Sequence, residues 1–160
     1  MSDRAESNPA DHAGVRVPPP LIYVVLFGLG LLLHQLVPVT FLPIFPARVA
    51  ALIFLGCGLI LDIWSVGLFR RAHTNVMPVQ PTTALVIAGP YRLTRNPIYL
   101  GFLCAYIGAA LWFGVVWALV LVPLVVLTVQ RLAIIKEERY LEQKFGDAYR
   151  QYRAHVRRWI

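Results

Sequence analysis

The sequence is poor in charged residues. Only 14% of its 160 residues are charged and 58% are hydrophobic, whereas soluble domains average about 25% charged and 45–50% apolar residues. The mean hydropathy is +0.64. This balance excludes an ordinary soluble domain and predicts an all-α, polytopic membrane helix bundle.

Cysteine is also scarce. The two cysteines, Cys57 and Cys104, both lie in apolar stretches, where a small buried free thiol is the usual state. A disulfide-stabilised scaffold is therefore excluded. We also predict no metal site.

The apolar stretches predict about four transmembrane spans, at residues 20–37, 47–69, 97–111 and 115–135. Residues 97–130 carry no Asp, Glu, Lys or Arg, which is too long for one span, so the last two spans form a helical hairpin (97–135). The first half of this hairpin is rich in glycine and alanine, which predicts close packing against another helix. We expect the second half of the hairpin to be that partner.

The polar residues 1–19, which end in three prolines, predict a disordered cytosolic leader. No cleavage pattern follows the first apolar run, so this run is not a signal peptide and we expect it to stay in the protein. Residues 20–160 then form a single membrane domain.

The basic residues predict the topology. If both termini are cytosolic, 14 of the 15 lysines and arginines lie on the cytosolic side and only Arg48 lies outside. The net charge of +7 then faces anionic lipid headgroups and requires no nucleic acid. We predict an integral protein of a bacterial-type inner (plasma) membrane, with membrane lipids as partners. The sequence does not determine the oligomeric state.

Two cytosolic segments remain. The connection of residues 70–97 is long and apolar enough to lie ordered against the membrane face. Residues 137–160 carry apolar and aromatic side chains at steps of three and four, which predicts one amphipathic helix. On periodicity alone, this helix could merely anchor the chain at the membrane surface.

These segments carry a recognisable pattern. The stretch TNVMPVQPTTALVIAGPYRLTRNPIYLG, followed one hairpin later by EERYLEQKFGDAYRQYRAHVRRW, resembles the isoprenylcysteine carboxyl methyltransferase and phospholipid N-methyltransferase superfamily of integral-membrane methyltransferases. One position departs from that pattern, because Asn96 replaces the usual histidine. An asparagine can donate and accept hydrogen bonds but cannot carry charge near neutral pH.

The resemblance implies S-adenosyl-L-methionine as cofactor, bound by residues 70–101 and 131–159. The hairpin would also bring Glu137 and Glu138 beside Pro97. The free N–H groups of a helix that begins at Pro97 would favour an anion there. The implied cofactor-binding residues are Gly89, Tyr91, Arg95, Asn96, Pro97, Tyr99, Gly101, Glu137 and Glu138. The implied catalytic residues are Arg95, Arg131 and Glu138.

Simpler roles exist for these residues. Arginines at span ends often reach lipid phosphates, tyrosines often lie at the membrane interface, and adjacent acids are often solvated. Asp62, the one acid inside a predicted span, could pair with Arg131 or with Arg70 and Arg71, or could serve the substrate or cofactor.

The resemblance also suggests a lipophilic acceptor. A carboxylate is ionised at pH 7 and needs no general base, and Arg95 or Arg131 could hold it, so carboxyl O-methylation of the isoprenylcysteine type is favoured. Methylation of a phospholipid or other amine is the alternative. An NADPH-dependent sterol-type reductase and a non-catalytic membrane scaffold also remain open.

Overall fold

The computed structural model describes residues 13–15, 17–40, 43–75 and 82–160. Every regular element in these ranges is helical, which confirms the predicted all-α class. The helices are α1 (Pro19–Leu36), α2 (Ile44–Arg71), α3 (Pro97–Phe113), α4 (Val116–Val120), α5 (Val122–Val129), α6 (Ile135–Phe145) and α7 (Asp147–His155). A 3-10 turn (Gly89–Arg92) precedes α3, and one π-helical turn (Gln130–Ile134) joins α5 to α6.

Helices α1 and α2 are long and apolar enough to cross a membrane. Their large apolar side chains point mostly outward; Ile60 and Ile63, for example, are each 64% exposed. Such surfaces are stable in lipid and not in water. The protein is thus a helical membrane bundle. The described helices give two spans by length and composition, with α3 a shorter apolar helix, and the total of four stays a prediction.

The predicted hairpin turns at Gly114, which adopts φ +68. However, the small residues of α3 pack chiefly against α2, so the expected partner was wrong. A Cβ on Gly58 of α2 would lie 2.7 Å from the carbonyl oxygen of Gly101, and one on Gly108 would lie 3.0 Å from the carbonyl oxygen of Ala51. The two backbones therefore touch where side chains would otherwise separate them.

Helix α1 covers the second half of the hairpin instead. A Cβ on Gly30 would lie 2.9 Å from the backbone of Ala118 in α4. The hydroxyl of Tyr23 donates to the carbonyl of Tyr99 at 2.9 Å, which ties α1 to the start of α3. This contact holds the N-terminal half of α1 beside the segment that the sequence marks as functional.

The amphipathic segment 137–160 is not the single helix that its periodicity predicts. Gly146, at φ +53 and ψ −123, separates α6 from α7, because a helix cannot continue through that backbone conformation. Helix α7 then ends at His155, and Val156 is extended. We call residues 156–160 the C-terminal strap, since they run back across the residues before α3.

The end of the predicted leader is ordered where the structure describes it. Val15 is buried at 5% exposure, and Ala13 packs against the same core. Pro18 and Pro19 begin α1, with proline at a first-turn position that suits its missing N–H. This part of the leader therefore packs on the bundle, whereas residues 1–12 and 76–81 lie outside the described residues.

Candidate active site

A cavity of about 480 Å³ lies where the beginnings of α1 and α3 meet α6, α7 and residues 82–86. This volume is in the usual range for small-molecule sites, about 300–1,000 Å³. Its two sides differ in character. The polar wall is Arg95, Asn96, Tyr99 and Glu137; the apolar wall is Pro18, Phe69, Leu85, Val86, Ile98 and Phe102.

The beginning of α3 forms part of the polar wall. Pro97 is fully buried and occupies the first helical turn, preceded by Asn96 at the N-cap position. The Asn96 side chain makes no capping bond to α3; its Nδ2 donates to the carbonyl of Arg158 at 2.9 Å. The first-turn N–H groups of α3 are therefore left for another acceptor.

Glu138 is buried at 7% exposure between two arginines. Arg158 binds it with two hydrogen bonds, Nε to Oε1 at 2.9 Å and Nη2 to Oε2 at 2.6 Å. The Nη2 of Arg95 lies 3.3 Å from Oε1. The bond to Glu138 raises the pKa of Arg158. Both oxygens of Glu138 thus bind protein groups, which suits a role in positioning Arg95.

Arg95 keeps unused hydrogen-bonding capacity. Its side chain is only 10% exposed, yet Nε and Nη1 are buried with no hydrogen-bond partner among the described residues. Buried charged donors are normally satisfied, because an unmade bond there is costly. Two unsatisfied guanidinium N–H donors in a residue that lines a cavity favour an anionic ligand such as a carboxylate.

Glu137 offers the opposite charge. Its Oε1 accepts a hydrogen bond from the hydroxyl of Tyr99. The pKa of the Glu137 carboxyl is raised to about 7, chiefly by burial; the Tyr99 bond lowers it and the neighbouring Glu138 raises it. A carboxyl group in this state gains from a cationic ligand that stabilises its ionised form.

Two tyrosines outside the predicted site, Tyr149 and Tyr152, also line the cavity. Tyr149 is 1% exposed, and the hydroxyl of Tyr152 donates to the carbonyl of Tyr91 at 2.7 Å. Burial raises the pKa of Tyr149 to about 12, so its hydroxyl stays neutral. Both tyrosines belong to the spacing FGDAYRQY, which signalled a buried stripe without showing what it faced.

Residues 46–148 match the model of the phospholipid methyltransferase family. The chain belongs to that family. It is 41% identical over 63 residues to an uncharacterised protein of Haemophilus influenzae, covering 39% of this chain and all of that one. It is 38% identical over 72 residues to a protein-S-isoprenylcysteine O-methyltransferase of Schizosaccharomyces pombe, covering 45% of this chain and 30% of that enzyme.

No solved structure matches the chain. The family match and the isoprenylcysteine methyltransferase relative together identify the protein as a membrane methyltransferase. The recognition made from GPYRLTRNPIYLG and the later acid pair is therefore confirmed. The matched range, 46–148, includes the whole polar wall and ends before the strap.

Several residues predicted for the site lie outside the cavity of this phospholipid methyltransferase family member. Arg131 lies in the π-helical turn, exposed, and does not line the cavity. Pro97 shapes the backbone behind the polar wall. Gly89, at φ +59, packs against Trp64 and Leu68, so its role is to allow the turn.

Gly101 is also structural. A Cβ there would lie 2.0 Å from Oδ1 of Asp62, so the glycine makes room for that acid. Asp62 does not meet the arginines with which it could have paired; its Oδ1 is buried without a partner among the described residues. The structure thus brings together Tyr91, Arg95, Asn96, Tyr99, Glu137 and Glu138 from the predicted set.

Proposed function

We propose that the protein transfers a methyl group from S-adenosylmethionine to a lipophilic acceptor in this cavity. One observation carries the proposal: a buried cation with two unused N–H groups, Arg95, lies in the same cavity as the carboxyl group of Glu137. The methionine part of S-adenosylmethionine has a carboxylate and an ammonium, and these are complementary to that pair.

The residues fit this donor. Arg95, through Nε or Nη1, with the first-turn N–H groups of α3, would hold the donor's carboxylate. Glu137 would hold the ammonium through the oxygen that Tyr99 leaves available. Tyr149 and Tyr152 supply flat, buried surface for a ring. When bound, the donor supplies an electrophilic methyl group on a sulfonium.

The chain's own residues then orient and shield the reactants. The cavity is lined mostly by partly buried apolar side chains, with Asn96 and Tyr99 buried, and a bound lipophilic acceptor would displace water from the reacting groups. Charge disappears when a carboxylate attacks a sulfonium, so a dry site favours the step, and correct orientation supplies much of the remaining acceleration. No proton has to move for a carboxylate acceptor.

The acceptor that we propose is an isoprenylcysteine-type carboxylate with an apolar tail. The apolar wall supports a lipophilic substrate, since Phe69, Ile98 and Phe102 continue from the cavity into the membrane helices. The yeast relative is an O-methyltransferase for such a substrate by name. The chain covers only 30% of that enzyme, so its substrate does not transfer directly, and the acceptor is proposed here mainly from the apolar wall.

Methylation of an amine is the second candidate, and Glu137 favours it. An amine nucleophile must lose a proton, and Glu137, whose pKa is about 7 in the free protein, would accept it near neutral pH if the donor's ammonium is bound elsewhere. Radiolabelled donor and membrane extract distinguish the two candidates. Base-labile methyl esters would support the carboxyl acceptor, whereas base-stable products would support the amine.

Isothermal titration of the detergent-solubilised protein with S-adenosylhomocysteine tests the donor. We expect binding, and we expect Arg95→Gln to weaken it at least tenfold, because a hydrogen bond between charged groups contributes about 1.5–3 kcal/mol. Arg92→Gln is the matched control, since Arg92 is exposed and does not line the cavity. No binding to the folded wild type, or binding of NADPH instead, would overturn the proposal.

A further inference from the structure

The C-terminal strap is bonded directly to the three residues before α3. The backbone N–H of Arg95 donates to the carbonyl of Arg157 at 2.9 Å. The hydroxyl of Thr94 and the amide of Asn96 both donate to the carbonyl of Arg158, at 3.0 and 2.9 Å. The strap is itself fixed at its other side, where Nε1 of Trp159 donates to Oε1 of Gln130 at 3.0 Å.

This arrangement determines what Asn96 does. Asparagine is among the preferred N-cap residues because its side-chain oxygen can accept from the N–H groups of the first turn. Here the strap holds the amide in another direction, and no capping bond forms. The strap thereby leaves the first-turn N–H groups of α3 without a cap from Asn96, beside the cavity that Asn96, Ile98 and Tyr99 line.

Arg158 has the same kind of effect on Arg95. Its two short bonds satisfy both oxygens of the buried Glu138, so Arg95 engages that carboxylate only through Nη2 at 3.3 Å. Without Arg158, the buried Glu138 would have Arg95 as its one cation among the described residues. The guanidinium would then pair fully with Glu138 and lose the N–H groups that now face the cavity.

We propose that the strap is a positioning element of the donor site and that Arg158 is its central residue. It acts through Glu138 on Arg95 and through its own carbonyl on Asn96. This inference rests on the proposed function, since the ligand whose binding it controls is the methyl donor. It also gives Asn96 a role, as the donor of one bond to the strap, that a histidine ring N–H can equally fill.

Titration of the full-length protein with S-adenosylhomocysteine, and the KM and kcat for S-adenosylmethionine, test the inference. We expect affinity to fall at least tenfold in Arg158→Gln and by less in Arg158→Lys, which keeps the charge but not the paired geometry. KM should rise accordingly, with kcat at saturating donor within about threefold of wild type, because the reacting atoms are untouched.

Asn96 provides a second variant that removes no charge. Asn96→Ala loses the donor to the Arg158 carbonyl and should weaken binding at least fivefold, whereas Asn96→His retains a donor and should stay within about threefold of wild type. Arg153→Gln is the matched control, because it breaks an α7 ion pair with Glu142 at the surface. Its affinity should not change.

The outcomes separate the two proposals. If the wild type does not bind S-adenosylhomocysteine, the proposed function fails and this inference fails with it. If the wild type binds and Asn96→Ala and a folded Arg158 variant bind equally well, the strap is only structural and the proposed function stands. Thermal unfolding of each variant identifies those that are not folded, and Asn96→Ala decides the question if Arg158→Gln is among them.

Discussion

Glu137 and Glu138 are adjacent in sequence but have different surroundings. Glu138 is paired with Arg158 and Arg95, whereas Glu137 is bonded to a neutral hydroxyl, that of Tyr99. Successive residues on a helix point about 100° apart, so one acid faces the strap and the other faces Tyr99. A pair that looks like duplicated charge in the sequence therefore has two separate environments in the structure.

The raised pKa of Glu137 predicts proton release on ligand binding. With a pKa of about 7 in the free protein, Glu137 is about 90% protonated at pH 6 and about 10% at pH 8. Binding of an ammonium to the carboxylate should therefore release about 0.9 proton at pH 6 and about 0.1 at pH 8. Titration of S-adenosylhomocysteine in buffers of different ionisation enthalpy measures this difference.

The same shift predicts how stability depends on pH. The folded state binds the Glu137 proton more tightly than the unfolded state, whose pKa is near 4.5. The contribution of Glu137 to the free energy of unfolding therefore falls as pH rises from about 4.5 to about 7 and is constant above that. Glu137→Gln should remove both this slope and the proton release. Equal proton release by the wild type at pH 6 and pH 8 would contradict the assignment.

The sequence could place most of the polar wall but not Arg158. Arg95 to Tyr99 and the acid pair lie in quoted motifs at the two ends of one hairpin, so the topology alone brings them together. Arg158 reaches Glu138 only because the chain turns at Gly146 and leaves α7 after His155. Helical periodicity does not predict that the chain turns back towards Glu138, because the spacing of apolar residues indicates which face of a helix is buried and not where the helix ends.

At the scale of elements, α2 and α3 are held together by the close approach of glycines. A Cβ at Gly58 would meet the carbonyl oxygen of Gly101 at 2.7 Å, whereas a Cβ at Gly56, on the same helix, would meet nothing within 4 Å. The two glycines thus have opposite roles in the same helix. One is required by packing, and the other only lowers helix propensity.

Substituting these two glycines should have opposite effects on stability. We expect Gly58→Ala to lower the free energy of unfolding by about 1–3 kcal/mol, because the helices must separate. Gly56→Ala should raise it by up to about 1 kcal/mol through helix propensity. Thermal or denaturant unfolding in detergent measures both. Equal effects of the two variants would show that the contact at Gly58 is not tight.

The small residues of α3 predicted a close helix contact but not its partner. Adjacent halves of a hairpin are usual neighbours, which is why the second half was expected. The decisive residues are Gly58 and Asp62 on α2, and the room for Asp62 beside Gly101 exists only because that position has no side chain. The fit between α2 and α3 depends on the side chains of both helices, so the sequence of α3 alone does not predict its partner.

At the scale of the whole molecule, composition predicted the class correctly. The apolar surface of α1 and α2 faces outward, as a lipid environment requires. Orientation is a proposal: we place both termini in the cytosol and the protein in a bacterial-type inner membrane, with the cavity on the cytosolic side. Arg48, whose guanidinium lies 5.6 Å from the ring centre of Trp112, marks the opposite end of the bundle.

Cysteine labelling tests this orientation. In a background with Cys57→Ser and Cys104→Ser, we expect an impermeant maleimide to label Phe113→Cys from outside intact spheroplasts and to label Gln143→Cys only after lysis. Both positions are exposed, so access is limited by the membrane alone. The protein should also stay in the membrane fraction after alkaline carbonate washing. Labelling of Gln143→Cys before lysis would reverse the topology.

The strap also has a consequence for how the protein is made. Arg158 is synthesised 62 residues after Asn96, the residue that it holds in place. The membrane helices can enter the bilayer and pair before that point, since chains fold progressively from the N-terminus during synthesis. The cavity wall is therefore completed only after the membrane helices have been made, and a nascent chain that is already inserted lacks these bonds until residues 157 and 158 emerge.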